Sequence, residues 1–184
     1  MSNYSTQNDL LLNKLLQWYS VDNRLSDVIS LINGETSISL RIIDWFVTNY
    51  SKKNYTVYDI EKNGMKQRFK VYVDYKLKLK AYSKKRFDPF CRWERITIPY
   101  KDDTSIQTTI GQLNFFKWCI ENKILKYIED NYSTIENDMN NRNSTAKKRD
   151  LSDKNKTRKK REELSVSATK SIKKEKVEIV VKFD

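Results

Sequence analysis

Lys70, Lys76, Lys78 and Lys80 stand at i, i+6, i+8 and i+10, with Tyr72 and Tyr82 at the same parity. On an extended strand, side chains alternate between faces, so all six share one side. Basic groups interleaved with aromatic rings suit phosphates and stacked bases. Lys84, Lys85 and Arg86 continue the surface, with Arg92 and Arg95 beyond them. The chemistry this predicts is binding of DNA or RNA with weak sequence preference, not a reaction. The competing reading is a solvated sheet face on which lysine guards the edge against pairing.

A second basic group lies in the C-terminal segment, where Lys147-Lys148-Arg149 and Arg158-Lys159-Lys160-Arg161 are separated by a polar spacer. The spacing suits a two-part nuclear import signal, a phosphate-binding arm or a solubilising tail. Two further segments suit a protein partner. Val177, Ile179 and Val180 have the pattern of a strand that adds to a sheet edge, either a partner's or the chain's own. Phe87, Phe90 and Trp93 are an aromatic turn that reads first as a plug of the core and second as a docking surface. Leu12-Asn13-Lys14-Leu15-Leu16 fits a groove-docking helix, although leucines so spaced also read as core.

Catalytic chemistry finds little support. The chain has no His, which removes His-based triads and imidazole metal sites, and its two Cys cannot complete a four-ligand zinc site. Cys91 lies among arginines, which favours a thiolate, but it lacks the usual base. Asp44, Asp88 and Glu94 form no repeated acid pattern for a divalent metal, and Gly34, Gly64 and Gly111 stand alone rather than in a phosphate-cradling loop. The expectation is a non-enzymatic protein without a cofactor.

The positive charge is clustered. The 184 residues carry a formal net charge of +12. Residues 66–95 hold 11 basic side chains against 3 acidic, and residues 141–184 hold 15 against 7, while 1–65 and 96–140 are slightly acidic. A clustered excess is a binding surface in a way that a dispersed one is not. No basic leader, small-residue cleavage site or long apolar run points to secretion or a membrane span, so the chain reads as an intracellular protein with no membrane contact and reduced cysteines, a single Cys91–Cys119 disulfide being the alternative.

The elements that would position these residues follow from periodicity. Helical spacing marks 9–19 and 22–33 as a hairpin of helices, and 39–50 as a buried helix. Asn63-Gly64 is a tight-turn signal between a strand at 55–60 and the long alternation of 69–82, read as a second strand. Arg95 to Tyr100 adds a third. Thr109 with Gln112 has capping-box spacing before a long apolar stripe from Leu113 to Met139. Beyond 141 apolar residues are scarce until Val177, which predicts disorder. The expected architecture is α+β. A helical hairpin (1–35) precedes a core domain (36–140) whose small antiparallel sheet has long hairpin strands and carries the long C-terminal helix, and a disordered basic tail follows (141–184). A winged-helix-like arrangement is one way to connect these parts.

Three strings, ISLRIIDWFVTNYSKKN, FKVYVDYKLKLKAYSKKRFDPFCRWERI and TTIGQLNFFKWCIENKILKYIEDN, occur in that order. Over about residues 38–140 they resemble an uncharacterised family shared among nucleocytoplasmic large DNA viruses, including relatives of mimiviruses and phycodnaviruses. The resemblance implies a viral origin and an intracellular setting in an infected host, with packaging in the virion as one possibility. It supplies no catalytic or binding residues. The functional expectation is a viral protein associating with nucleic acid through the basic strand and tail. The alternative is a structural or protein-interaction component with no nucleic-acid role.

Overall fold

The computed structural model describes residues 6–62, 64–100, 104–152 and 173–176. Helix α1 (Gln7–Tyr19) begins at a reciprocal capping box, in which the Thr6 side chain accepts from the Asp9 backbone N–H and the Asp9 carboxylate accepts from the Thr6 backbone N–H. The Thr6 hydroxyl, donating to the Asp9 carboxylate at 2.7 Å, and then the Thr6 backbone N–H hold this carboxyl below its ordinary range. Helix α2 (Arg24–Ile32) completes the expected hairpin. Helix α3 (Leu40–Trp45) runs through a π-helical turn at Phe46–Tyr50 into the short α4 (Ser51–Lys53).

Strands β1 (Val57–Lys62) and β2 (Met65–Lys70) pair antiparallel, with Lys62 opposite Met65 across a two-residue turn containing Gly64 at φ 74°. The Asn-Gly signal therefore marks a real hairpin. Its outer face sets Asp59 opposite Arg68 and Glu61 opposite Lys66, so two of the basic residues of this region face acids. Tyr58 and Phe69 face inward, and Tyr58 stacks on Tyr127 at 4.9 Å between ring centroids.

Residues 71–82 are not a strand. Helix α5 spans Val71–Arg86, interrupted at Ser83. The alternating Lys-Leu-Lys-Leu-Lys run satisfies period two, but Val71, Tyr75, Leu79 and Tyr82 also fall on one helical face, and it is this face that packs toward the core. The deciding constraint is remote. The hairpin register ends at Val57 opposite Lys70, and the chain before Val57 turns away through Tyr55 at φ 47° into α4. A longer β2 would find no ladder partner for its backbone groups, whereas a helix satisfies them internally.

Strands β3 (Arg95–Pro99), β4 (Thr104–Thr109) and β5 (Lys173–Lys176) form a second antiparallel sheet in the order β3-β4-β5, with Pro99 on an edge strand where its missing N–H is tolerated. Among the described residues there are thus two small sheets rather than one sheet with long strands. The expected long C-terminal helix is broken into α6 (Ile110–Glu121), α7 (Ile124–Asp130) and α8 (Tyr132–Ser152). Lys123, left-handed at φ 54°, makes the first break. Because α8 continues to Ser152, residues 141–152 are helical where disorder is expected, and 173–176 is a strand. Lys147, Lys148 and Arg149 fall within α8. Arg158, Lys159, Lys160, Arg161, Val177, Ile179 and Val180 lie outside the described residues.

One core unites these elements, and α6 is its axis: from Ile110 to Phe116 every residue is buried. The N-terminal hairpin shares it, since Leu15 is buried and the Tyr19 hydroxyl donates to the Leu113 carbonyl at 2.7 Å. At the opposite end, Asp138 on α8 accepts from Trp45 Nε1 at 3.1 Å and Lys53 Nζ at 2.8 Å, with its side chain only 12% exposed. Burial pushes this carboxyl up, but the two hydrogen bonds and the charges of Lys53 and Arg142 outweigh it, leaving it below its ordinary value. A depressed carboxyl contributes stability above its unfolded pKa of about 3.9 and loses it as pH falls through the folded value. Asp138→Asn should therefore cost about 1–2 kcal/mol at pH 7. The difference from the unchanged protein should close below about pH 4 in urea titrations, and a gap independent of pH would assign the effect to packing instead.

Candidate nucleic-acid interface

Helix α5 sorts the expected site residues by a different geometry from that of a strand. Lys76 and Lys80 lie one turn apart on its solvent face, beside Val73 and Leu77, which are 53% and 60% exposed. Lys70 is exposed at the end of β2, and Lys84 and Lys85 are exposed beyond the break at Ser83. Lys78 is half-buried on another side of the helix. The two tyrosines leave the group. Tyr72 is half-buried with Lys52 Nζ 5.7 Å from its ring centroid, and Tyr82 turns inward to stack on Phe87 at 6.2 Å. The expected row of four lysines and two tyrosines on one surface is thus dispersed, because a helix turns successive residues by about 100° rather than 180°.

What remains is a series of cations along α5, from Lys70 at its start to Lys84, Lys85 and Arg86 in its last turn. Among the described residues, Lys70, Lys76, Lys78, Lys80, Lys84 and Lys85 enter no ion pair. The carboxylates of the same segment are used elsewhere. Asp74 accepts from Trp118 Nε1 at 2.6 Å, Asp88 from the Phe90 backbone N–H at 2.8 Å, and Glu94 from Asn8 Nδ2 and Trp93 Nε1, both at 3.0 Å. Asp74 and Glu94 are thus held by neutral donors rather than by these lysines, and the 11 basic side chains of residues 66–95 outnumber the 3 acidic ones.

The turn from Phe87 to Glu94 is clamped onto the start of α6. The Thr109 hydroxyl caps that helix by accepting from the Gln112 N–H, which bears out the cap expected there, and the Gln112 side-chain amide donates to the Pro89 carbonyl at 3.0 Å. Asn114 Nδ2 donates to the Arg86 carbonyl at 2.9 Å. Gly111 permits this approach: a Cβ there would stand 2.9 Å from the Lys85 carbonyl oxygen and 3.0 Å from Cys91 Cβ. The obstacle is backbone and cannot swing aside. Gly111→Ala should destabilise the protein by about 1–3 kcal/mol through overpacking, despite the gain of up to about 1 kcal/mol in helix propensity. Denaturant titration checks this, and a neutral or stabilising result would contradict the close packing.

The aromatic turn divides by position. Phe87 is fully buried and Phe90 half-buried, but Trp93 is 55% exposed with Lys85 Nζ 4.2 Å from its ring centroid. Phe87 is thus the core plug, as expected, and is closed to a protein partner, while Trp93 belongs to the surface. Around Trp93, residues Asn8, Ser83, Lys85, Arg86, Glu94 and Ile110 line a cavity of about 270 Å³. Arg86 reaches α1, donating from Nε to Asn8 Oδ1 at 2.7 Å and from a terminal nitrogen to Gln7 Oε1 at 3.2 Å. Both partners are neutral amides. Ser83, at φ 61° and ψ 168°, adopts a backbone conformation that glycine ordinarily takes, at a cost of about 1–3 kcal/mol. Trp93, Asn8 and Glu94 are absent from the expected site. The flanking Arg92 and Glu94 are the one local sign that Trp93 is a surface residue, and nothing local marks Asn8.

Cys91 and Cys119 are both free and buried, and burial pushes the Cys119 thiol well above its ordinary value. Among the described residues no three His, Cys, Asp or Glu side chains are grouped to hold a metal, and no helix is long and apolar enough to cross a membrane.

The chain matches a family described as of unknown function, DUF7197, over residues 2–184. The match takes in the N-terminal hairpin and the basic tail, so the family extends beyond the expected 38–140. The "Uncharacterized protein L507" of Acanthamoeba polyphaga mimivirus is 41% identical over 163 residues, covering 85% of this chain and 63% of that protein. The chain thus spans less than two thirds of that relative's length. No solved structure matches it. An α+β chain whose family likeness runs from the capped first helix to the basic tail, and which has a mimiviral relative, belongs to the family of unknown function DUF7197.

Proposed function

We propose that this is a non-enzymatic viral protein that associates with nucleic acid through the exposed face and C-terminal end of α5, with the basic tail as a second, nonspecific contact. The observation that carries this reading is the set of lysines at 70, 76, 80, 84 and 85, exposed and without ion pairs among the described residues. Lysines so placed neutralise phosphates without reading bases, giving weak sequence preference and steep salt dependence. Infected cells, or the packaged genome, are the setting this function implies.

The test is a titration of the full chain against mixed-sequence DNA and RNA at about 50 and 200 mM salt. Several phosphate contacts should lower affinity by at least tenfold between the two. Absence of binding at low salt would overturn the proposal. A second reading, a protein-docking role for the same face, is favoured by the exposed Val73 and Leu77 between the lysines. It predicts capture of a partner that salt does not disrupt.

A further inference from the structure

We infer that the cavity at the end of α5 seats one unpaired base with its phosphate, so that the nucleic acid bound is single-stranded. The inference rests on the nucleic-acid reading above and names its ligand class. Trp93 is more than half exposed although it is held, its indole N–H bonded to Glu94 and one ring face covered by the Lys85 ammonium. The other face is a stacking platform. A ring already carrying a cation on one side and a base on the other is the arrangement by which single strands are held without regard to sequence.

The cavity beside it, at about 270 Å³, lies at the small end of ligand sites, which run from roughly 300 to 1,000 Å³. That space suits a base and its phosphate rather than a length of duplex. Arg86 and Lys85 supply the phosphate contacts, and the neutral amides of Gln7 and Asn8 orient the Arg86 guanidinium without cancelling its charge. Glu94, fixed between Asn8 and Trp93, is an acceptor for the amino groups of a base. The site draws on α1, the end of α5 and the turn before β3, and its backbone holds Ser83 and Glu94 at positive φ, as in sites set before the ligand arrives. In a duplex the base faces are hidden in the stack, and Trp93 would have nothing to meet.

The experiment compares the full chain with Trp93→Ala and Trp93→Phe, using a labelled mixed-sequence single strand of about 20 nucleotides and its duplex. The single strand should bind at least about tenfold tighter than the duplex. Trp93→Ala should lose about that factor on the single strand and change duplex binding by less than about twofold, and Trp93→Phe should recover most of the loss. Independently of any variant, the single strand should quench tryptophan emission of the unmodified chain and the duplex should not. Equal, salt-sensitive binding of both forms, or a single-strand preference that survives Trp93→Ala, would overturn the inference while leaving the nucleic-acid reading standing. Binding of neither form would overturn both.

Discussion

Phe87→Ala should lower stability by about 3–5 kcal/mol, the range for emptying a fully buried aromatic site. Phe87 has no exposed surface, and its ring meets Phe115 and Trp118 edge-on at 5.5 Å, with Tyr75 at 6.0 Å and Tyr82 at 6.2 Å. These partners come from α5 and α6. The ring therefore fastens the basic helix to the central one, and its loss leaves a void that the clamped turn cannot collapse to fill. In a chain of this length the melting temperature should fall by about 6–20 °C. Phe87→Leu should cost less than half as much. A change under about 1 kcal/mol for Phe87→Ala would mean that α5 is not anchored as described.

Removing three surface charges should have the largest effect on binding. Lys76→Gln, Lys80→Gln and Lys84→Gln together should reduce the slope of log affinity against log salt by about 2, at about 0.7 for each single-strand phosphate contact. The three side chains are exposed and unpaired among the described residues, so the triple variant should fold with stability within about 0.5 kcal/mol of the original. Changing Arg158, Lys159, Lys160 and Arg161 to Gln should lower the slope further without abolishing binding. If the tail variant alone removed binding, the tail and not α5 would carry the association.

The sequence shows most plainly what local chemistry decides. The Asn-Gly turn, the Thr109 cap, the first two helices and the edge strand ending in Pro99 are each specified by a few adjacent residues. The basic helix was not legible, because lysines and leucines in alternation satisfy both periods. The outcome was set by the missing partner for β2, a fact about Tyr55 and α4 more than ten residues away. The break at Lys123 has no Gly or Pro to announce it, only Asn122, whose side chain bonds back to the Trp118 carbonyl at 2.7 Å. The site suffered from the same ambiguity. The cluster of cations was visible as charge, but which of them share a surface depends on the helical turn. The exposure of Trp93 depends on Phe87 filling the core place that either aromatic suits by composition.

The most direct test of a nucleic-acid surface on the folded part of the chain is photo-crosslinking of the full protein to mixed-sequence oligonucleotides, with the adducts located by mass spectrometry. Such a surface should give adducts on peptides from residues 70–95, including Trp93, that diminish when Lys76, Lys80 and Lys84 are changed to Gln. Adducts confined to residues 143–184, or none at all under low-salt conditions, would contradict it.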